Sequence, residues 1–158
     1  MSQTVDGATF ILFLLNDATY AIRSRDIQQL DMVRAITSVP NAPAFVEGVV
    51  SVRGEVIPVV NLRKRFGFAD APASGRSRML VVRQGKRTVG LLVDSAREFA
   101  SIADSDIQPP PETIADMSGR YLEGIAQVGN RLVLILNVTE LLDGKSLDLK
   151  ESAPLAQS

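Results

Sequence analysis

An internal repeat restricts the folds open to this chain more than any other feature. Phe45-Val46-Glu47-Gly48-Val49 lines up without a gap on Tyr121-Leu122-Glu123-Gly124-Ile125, and at the same offset Val52 falls on Val128 and Asn61 on Asn137. Self-similarity of this kind marks a duplicated unit. Each copy reads as strand, hairpin, strand and then a helical turn capped by asparagine, so the cap residues fall at equivalent places in both halves. Two rounded lobes packed together leave a groove at their seam, where a partner segment can bury apolar side chains. That groove is the expected binding site.

Elsewhere the apolar residues come in short runs rich in Val, Ile and Leu, broken by turn residues, which is the pattern of buried strands and not of amphipathic helices. Predicted strands are Phe10–Leu15, Tyr20–Ile22, Leu30–Ser38, Val46–Val52, Val56–Val60, Arg78–Arg83, Thr88–Val93, Arg97–Ile102, Leu122–Val128 and Leu132–Leu136. The predicted fold is mainly β: two five-stranded barrels with short helices. Tight hairpins are signalled at Asn16-Asp17, Arg53-Gly54, Gln84-Gly85-Lys86 and Gly129-Asn130, where Gly and Asn supply positive φ. Asn61 caps a predicted turn running to Phe66 with Gly67 as its stop. Asn137 and Glu140 form a capping box before Leu141, Leu142 and Gly144, which places a second short helix near the C-terminus. The Pro-, Ala- and Ser-rich stretch Ala69–Ser77 reads as the connection between halves, and a second loop spans Asp104–Met117 with Pro109-Pro110-Pro111. These signals predict one domain over 9–143: subdomain one at about 9–68, subdomain two at about 77–137, and a packing helix at 138–143. The ends, 1–8 and 144–158, are expected to be flexible.

Composition narrows the chemistry. The 17 Lys and Arg nearly balance the 18 Asp and Glu, so no strong net field steers the chain to nucleic acid or an anionic membrane. With neither Cys nor His, the usual general base and the commonest zinc ligands are missing. No cofactor and no metal is expected. The N-terminus does not read as a signal peptide, and no apolar run reaches the roughly 18–20 residues of a membrane span, so a cytoplasmic protein without direct membrane insertion is the expectation.

The individual motifs are weak as catalytic signals. Gly85-Lys86 lacks the rest of a phosphate-binding loop. Asp104 and Asp106 lack the further oxygen ligands that a hard cation needs. Asp94 with Glu98 is the one carboxylate pair considered for a hydrolase, which would require separated pKa values. Arg63-Lys64-Arg65 is the densest basic cluster and reads either as a solvated helix face or as a contact for an acidic partner. Arg53, at the tip of an apolar hairpin, projects a five-donor fork from a rigid scaffold. Gly48, inside a strand, reads as a bulge or as a close approach of another backbone. Ile27 and Phe99 stand next to strand ends, as surface or as core.

The run from Asn41 to Gly48 and on through Val52-Arg53-Gly54-Glu55-Val56-Ile57-Pro58-Val59-Val60-Asn61-Leu62-Arg63 resembles the most distinctive stretch of the CheW family. Thr88–Asp94 and Tyr121–Gly124, followed by the Gly129-Asn130 hairpin, resemble it too, in the same order, so the similarity covers Phe10 to Leu142. This resemblance implies SH3-like barrels and a non-catalytic adaptor in chemotaxis signalling. Its implied partners are the cytoplasmic tip of chemoreceptors, bound near the inter-lobe groove, and the regulatory domain of a CheA-type histidine kinase, with recruitment to membrane-associated receptor arrays. It also implies coupling roles for Arg53 and Gly48 and a receptor-contacting region around Ile27 and Gln28. At Gln29 family members tend to carry Glu, so this chain lacks a charge there. An adaptor of the same build in a non-motility pathway (pilus, gliding or second-messenger control) is the alternative.

Overall fold

Four two-residue turns set the strand pairing. Asn16-Asp17 and Arg53-Gly54 have positive φ at both positions (52° and 69°; 51° and 83°), the type I′ geometry that matches strand twist, while Gly85 and Gly129 each open a turn at φ 62°. The computed structural model describes residues 7–111 and 121–142. The elements are β1 (Gly7–Leu15), β2 (Ala18–Arg23), β3 (Ile27–Met32), β4 (Val46–Val52), β5 (Glu55–Asn61), α1 (Leu62–Arg65), β6 (Arg78–Gln84), β7 (Arg87–Val93), β8 (Ser95–Ala103), β9 (Ile107–Gln108), β10 (Leu122–Val128), β11 (Arg131–Leu136) and α2 (Val138–Leu141). Each predicted strand has its counterpart, and both asparagines cap as expected: Oδ1 of Asn61 accepts from Lys64 N and that of Asn137 from Glu140 N, each at 3.2 Å. Gly7 and Ala8, expected in a flexible end, belong to β1. Gly144, the terminus 144–158 and the loop from 112 to 117 lie outside the described residues.

Two mixed sheets form, ordered β8-β1-β2-β11-β10-β9 (barrel 1) and β3-β6-β7-β5-β4 (barrel 2). They do not follow consecutive halves of the chain. The β1–β2 hairpin of the first repeat joins strands of the second, in parallel contact with β11, and β6–β7 of the second joins strands of the first, in parallel contact with β5. A boundary at 68–77 would therefore part β6 and β7 from the sheet they complete. The repeats have exchanged their leading hairpins.

One segment closes each sheet by switching edges. In barrel 2, β3 pairs with β6, and the chain then swings to β4, where Thr37 and Val49 exchange backbone hydrogen bonds of 3.0 and 2.8 Å. The predicted strand Leu30–Ser38 covers parts of both contacts. In barrel 1 the same job is done by β8 on β1 and β9 on β10, with a 3-10 turn at Asp104–Asp106 between them. That turn splits the closing segment in two, which is why barrel 1 has six strands among the described residues and not the predicted five.

Alternation along the strands explains the unbroken apolar runs. One face of β1 and β2 (Phe10, Leu12, Ala21) fills barrel 1 with Val133 and Ile135, while Ile57, Val59, Met79 and Val81 fill barrel 2. The other face (Ile11, Phe13, Tyr20, Ile22) meets Val60, Leu80, Val82, Val89 and Leu91 between the barrels. Strands buried on both faces lose the polar alternation of a one-sided sheet. Each fully buried large side chain contributes about 1.5–3 kcal/mol, and the largest of the three apolar clusters lies at the seam.

Candidate functional site

The filled seam corrects the expectation of an open groove. Its middle is core, and only its margins are free for a partner. The strands at those margins are β3 and β8, the two that carry the chain from one barrel to the other. They are equivalent to the residue: Val81 faces Gln29 and Val82 faces Ile27 across a bulge, just as Leu12 faces Glu98 and Phe13 faces Ala96 across another. Directly paired antiparallel residues share a face. Leu30 is opposite Leu80 and Phe99 opposite Ile11, and both partners lie in the seam cluster. Leu30 and Phe99 therefore extend that apolar face outward, where they are 38% and 63% exposed.

The candidate residues fall into three places. Ile27 packs half-buried against the seam cluster, close in sequence to Leu30, so Ile27 and Phe99 belong to the margins. Gln28, the bulge residue of β3, is exposed and lines a cavity at the end of barrel 2 with Val52, Arg53, Glu55, Ile57 and Thr88. Gln29 is half-buried and donates from Nε2 to Asp31 Oδ2 at 2.6 Å; Arg34 holds the same oxygen at 2.7 Å and also reaches Ser51 O. Gly48 stands apart from both surfaces. It is buried at a β4 bulge with φ 148°, and a Cβ there would lie 2.0 Å from Thr37 O. Its repeat equivalent Gly124 is hemmed in alike by Ile107 and by Gln108 O, at 2.4 and 2.8 Å. Both glycines let the closing segment approach, which is a structural need sufficient to account for them.

The basic cluster is half-buried and engaged within the chain. Arg63 donates through Nε and Nη2 to Asp94 at 3.0 and 2.9 Å and through Nη1 to Ala69 O. Lys64 lies 3.0 Å from Glu47 and 3.6 Å from Asp70, and Arg65 stacks on Phe45 and Tyr121. Burial pushes the Asp94 carboxyl up, but the hydrogen bonds from Arg63 and Asn16 N–H, with the Arg63 charge, outweigh it and hold the carboxyl below its usual range. Glu98 is held by Arg131 through two bonds of 2.9 and 2.8 Å. Asp94 and Glu98 thus serve separate ion pairs.

Leu30 went unrecognised in the sequence, though it stands three residues beyond Ile27, because its link to Phe99 depends on sheet register. A second missed pair is Val56 and Leu132, which match under the repeat and are 67% and 64% exposed on the outer faces of β5 and β11. The signal was available: an apolar residue stands in the same place after each hairpin turn. Among the described residues no helix is long and apolar enough to cross a membrane, and no group of acidic side chains could hold a metal ion.

Comparison with known proteins agrees with this fold. The sequence model of the family described as CheW-like domain matches residues 9–146. Chemotaxis protein CheW of Helicobacter pylori is 37% identical over 133 residues, covering 84% of this chain and 80% of that protein. Protein FrzA of Myxococcus xanthus is 30% identical over 135 residues, covering 84% of each. Among solved structures, the scaffolding protein TtCheW from Thermoanaerobacter tengcongensis superposes with a TM-score of 0.81 at 29% identity, over 89% of this chain and 95% of that one.

Proposed function

The chain belongs to the CheW-like domain family, a non-catalytic scaffold family of chemotaxis, and from that premise we propose that it couples chemoreceptors to a CheA-type histidine kinase. The observation that carries this reading is the pair Leu30 and Phe99, equivalent exposed apolar side chains at the margins of the seam. An amphipathic helix such as a receptor tip can lay its apolar stripe there. Arg53, which lines a cavity at the end of barrel 2, lies on a second surface, suited to the kinase regulatory domain, while Gln28, on the rim of the same cavity, stays with Ile27 in the receptor-contacting region. The mechanism is geometric: two partners are held at a fixed separation, and repetition over an array supplies avidity that single contacts lack.

Co-sedimentation of the chain with a receptor-tip fragment and a kinase regulatory fragment tests the reading. Both fragments should co-sediment with it, and Phe99→Ser should release the receptor fragment alone. Failure of the unaltered chain to carry down either fragment would refute the coupling role. A second reading, the same adaptor in a pilus, gliding or second-messenger pathway, is favoured by the FrzA match, which covers as much of this chain as the Helicobacter pylori match and bears a name without chemotaxis in it. Pull-down of the cognate receptor separates the two.

A further inference from the structure

Arg65 ends α1, and its guanidinium carbon lies 4.6 Å from the centroid of the Phe45 ring and 4.9 Å from that of Tyr121. The two rings are repeat equivalents. Each precedes the first strand of its hairpin, and each backbone carbonyl accepts the N–H of a capping asparagine, Phe45 O from Asn61 and Tyr121 O from Asn137, both at 2.8 Å. Phe45 leads into barrel 2 and Tyr121 into barrel 1, so a single cation is shared by matching rings of the two lobes. Nε of Arg65 is buried without a hydrogen-bond partner among the described residues, which leaves the ring faces to compensate it. The counterpart on α2 is Leu141, an ordinary member of the seam cluster. One half of the repeat therefore provides a cation where the other provides only a hydrocarbon.

Adhesion between the barrels comes from the apolar cluster, and apolar contact is non-directional. Directional contacts across the seam are concentrated on α1. Arg63 grips Asp94, whose carboxylate also takes the N–H of Asn16 in barrel 1, and Phe66 lies 6.0 Å from Tyr20 and 5.7 Å from Tyr121, both in barrel 1. Arg65 sits at the centre of this clasp. We propose that Arg65 is a positioning residue that fixes the angle between the two barrels, and so the separation of the surfaces that receptor and kinase occupy, while touching neither partner. The clasp stands on geometry alone; its effect on coupling rests on the adaptor reading.

Because the chain has no cysteine, spin labels can be placed at will. Lys86→Cys on barrel 2 and Gln127→Cys on barrel 1 are exposed positions in different lobes. Electron–electron resonance should give a narrow distance distribution for the otherwise unaltered chain and for Arg65→Lys, which keeps the cation, but a broadened or shifted one for Arg65→Leu, which fills the site with the side chain found at Leu141. An unchanged distribution in Arg65→Leu would overturn the proposal. Should that variant fail to fold, Tyr121→Leu removes one ring, keeps the cation and carries the same expectation. Arg65→Leu should also bind receptor-tip and kinase fragments separately with parental affinity, yet fail to activate the kinase when both are present. Normal activation despite altered distances would overturn the positioning role, whereas an unaltered chain that binds neither fragment would instead overturn the adaptor reading.

Discussion

Arg53 holds a backbone conformation (φ 51°) that costs an ordinary L-residue about 1–2 kcal/mol. The other three hairpins place Asn, Asp or Gly in the strained positions, so local stability alone would not select arginine here. An observed outlier of this kind points to function. Arg53→Asn creates the Asn-Gly pair that type I′ turns favour, so fold and function should respond with opposite sign. We expect its urea midpoint to rise by the equivalent of about 0.5–1 kcal/mol while kinase activation falls; a midpoint that does not move, or activation at the parental level, would contradict the trade-off. Gln29 is constrained differently. A glutamate in its place would face the Asp31 carboxylate at hydrogen-bonding distance, a like-charge contact that costs about 0.2–1 kcal/mol. Urea denaturation should show Gln29→Glu destabilised at pH 7, less so near pH 3 where carboxylates protonate, and restored by Asp31→Asn. The charge missing at position 29 is thus balanced by one two residues away, which no inspection of position 29 by itself could disclose.

At the level of elements, the closing segment explains both buried glycines, and the demand on Gly48 is the harsher. Its added methyl would meet backbone at 2.0 Å, with φ already in the region that favours glycine. Gly48→Ala should cost more than about 2 kcal/mol and lower the thermal midpoint. Gly75→Ala, in the linker with open space around its Cβ position, should change it little. Equal stabilities for the two variants would refute the closure argument. Strands, turns and caps were legible because their causes are local: φ-permissive residues fix the hairpins, and apolar runs fix the strands. Barrel closure was not, since the run from Leu30 to Ser38 reads as one strand although its two ends pair with opposite edges. Of the candidate residues, sequence spacing located Phe99 but gave no reason to join it to Leu30, because their equivalence lies in matching bulges on strands that pair with different partners.

At the scale of the molecule, the exchange of hairpins could not be read from the chain, since β1–β2 and β6–β7 offer the same apolar pattern and either could complete either sheet. It has consequences that can be measured. Asp94, between β7 and β8, ties Arg63 of α1 to the β1–β2 turn, and its carboxyl is held below the usual value. A depressed native pKa contributes stability that is full above the unfolded value of about 3.9 and is lost as pH falls through the lower folded value. Asp94→Asn should therefore flatten the acid limb of the stability profile below about pH 4, at a cost of roughly 1 kcal/mol at pH 7 after allowance for solvent screening. An acid limb identical to the parent's would remove Asp94 from the clasp. The exchange itself makes a sharper demand. Cutting within Ala71–Ser77 yields two pieces, the first holding three strands of barrel 2 and a hairpin of barrel 1, the second four strands of barrel 1 and a hairpin of barrel 2, with neither able to bury its apolar faces alone. Each should be unfolded by circular dichroism and amide exchange, and mixing them should restore a cooperative transition, with the two peptides held together by the antiparallel contacts β1–β8 and β3–β6 and the parallel contacts β2–β11 and β5–β7. If the N-terminal piece folded cooperatively by itself, the lobes would have to be built from consecutive halves after all, and the crossing strands β3 and β8 would no longer define the margins on which the partner surfaces rest.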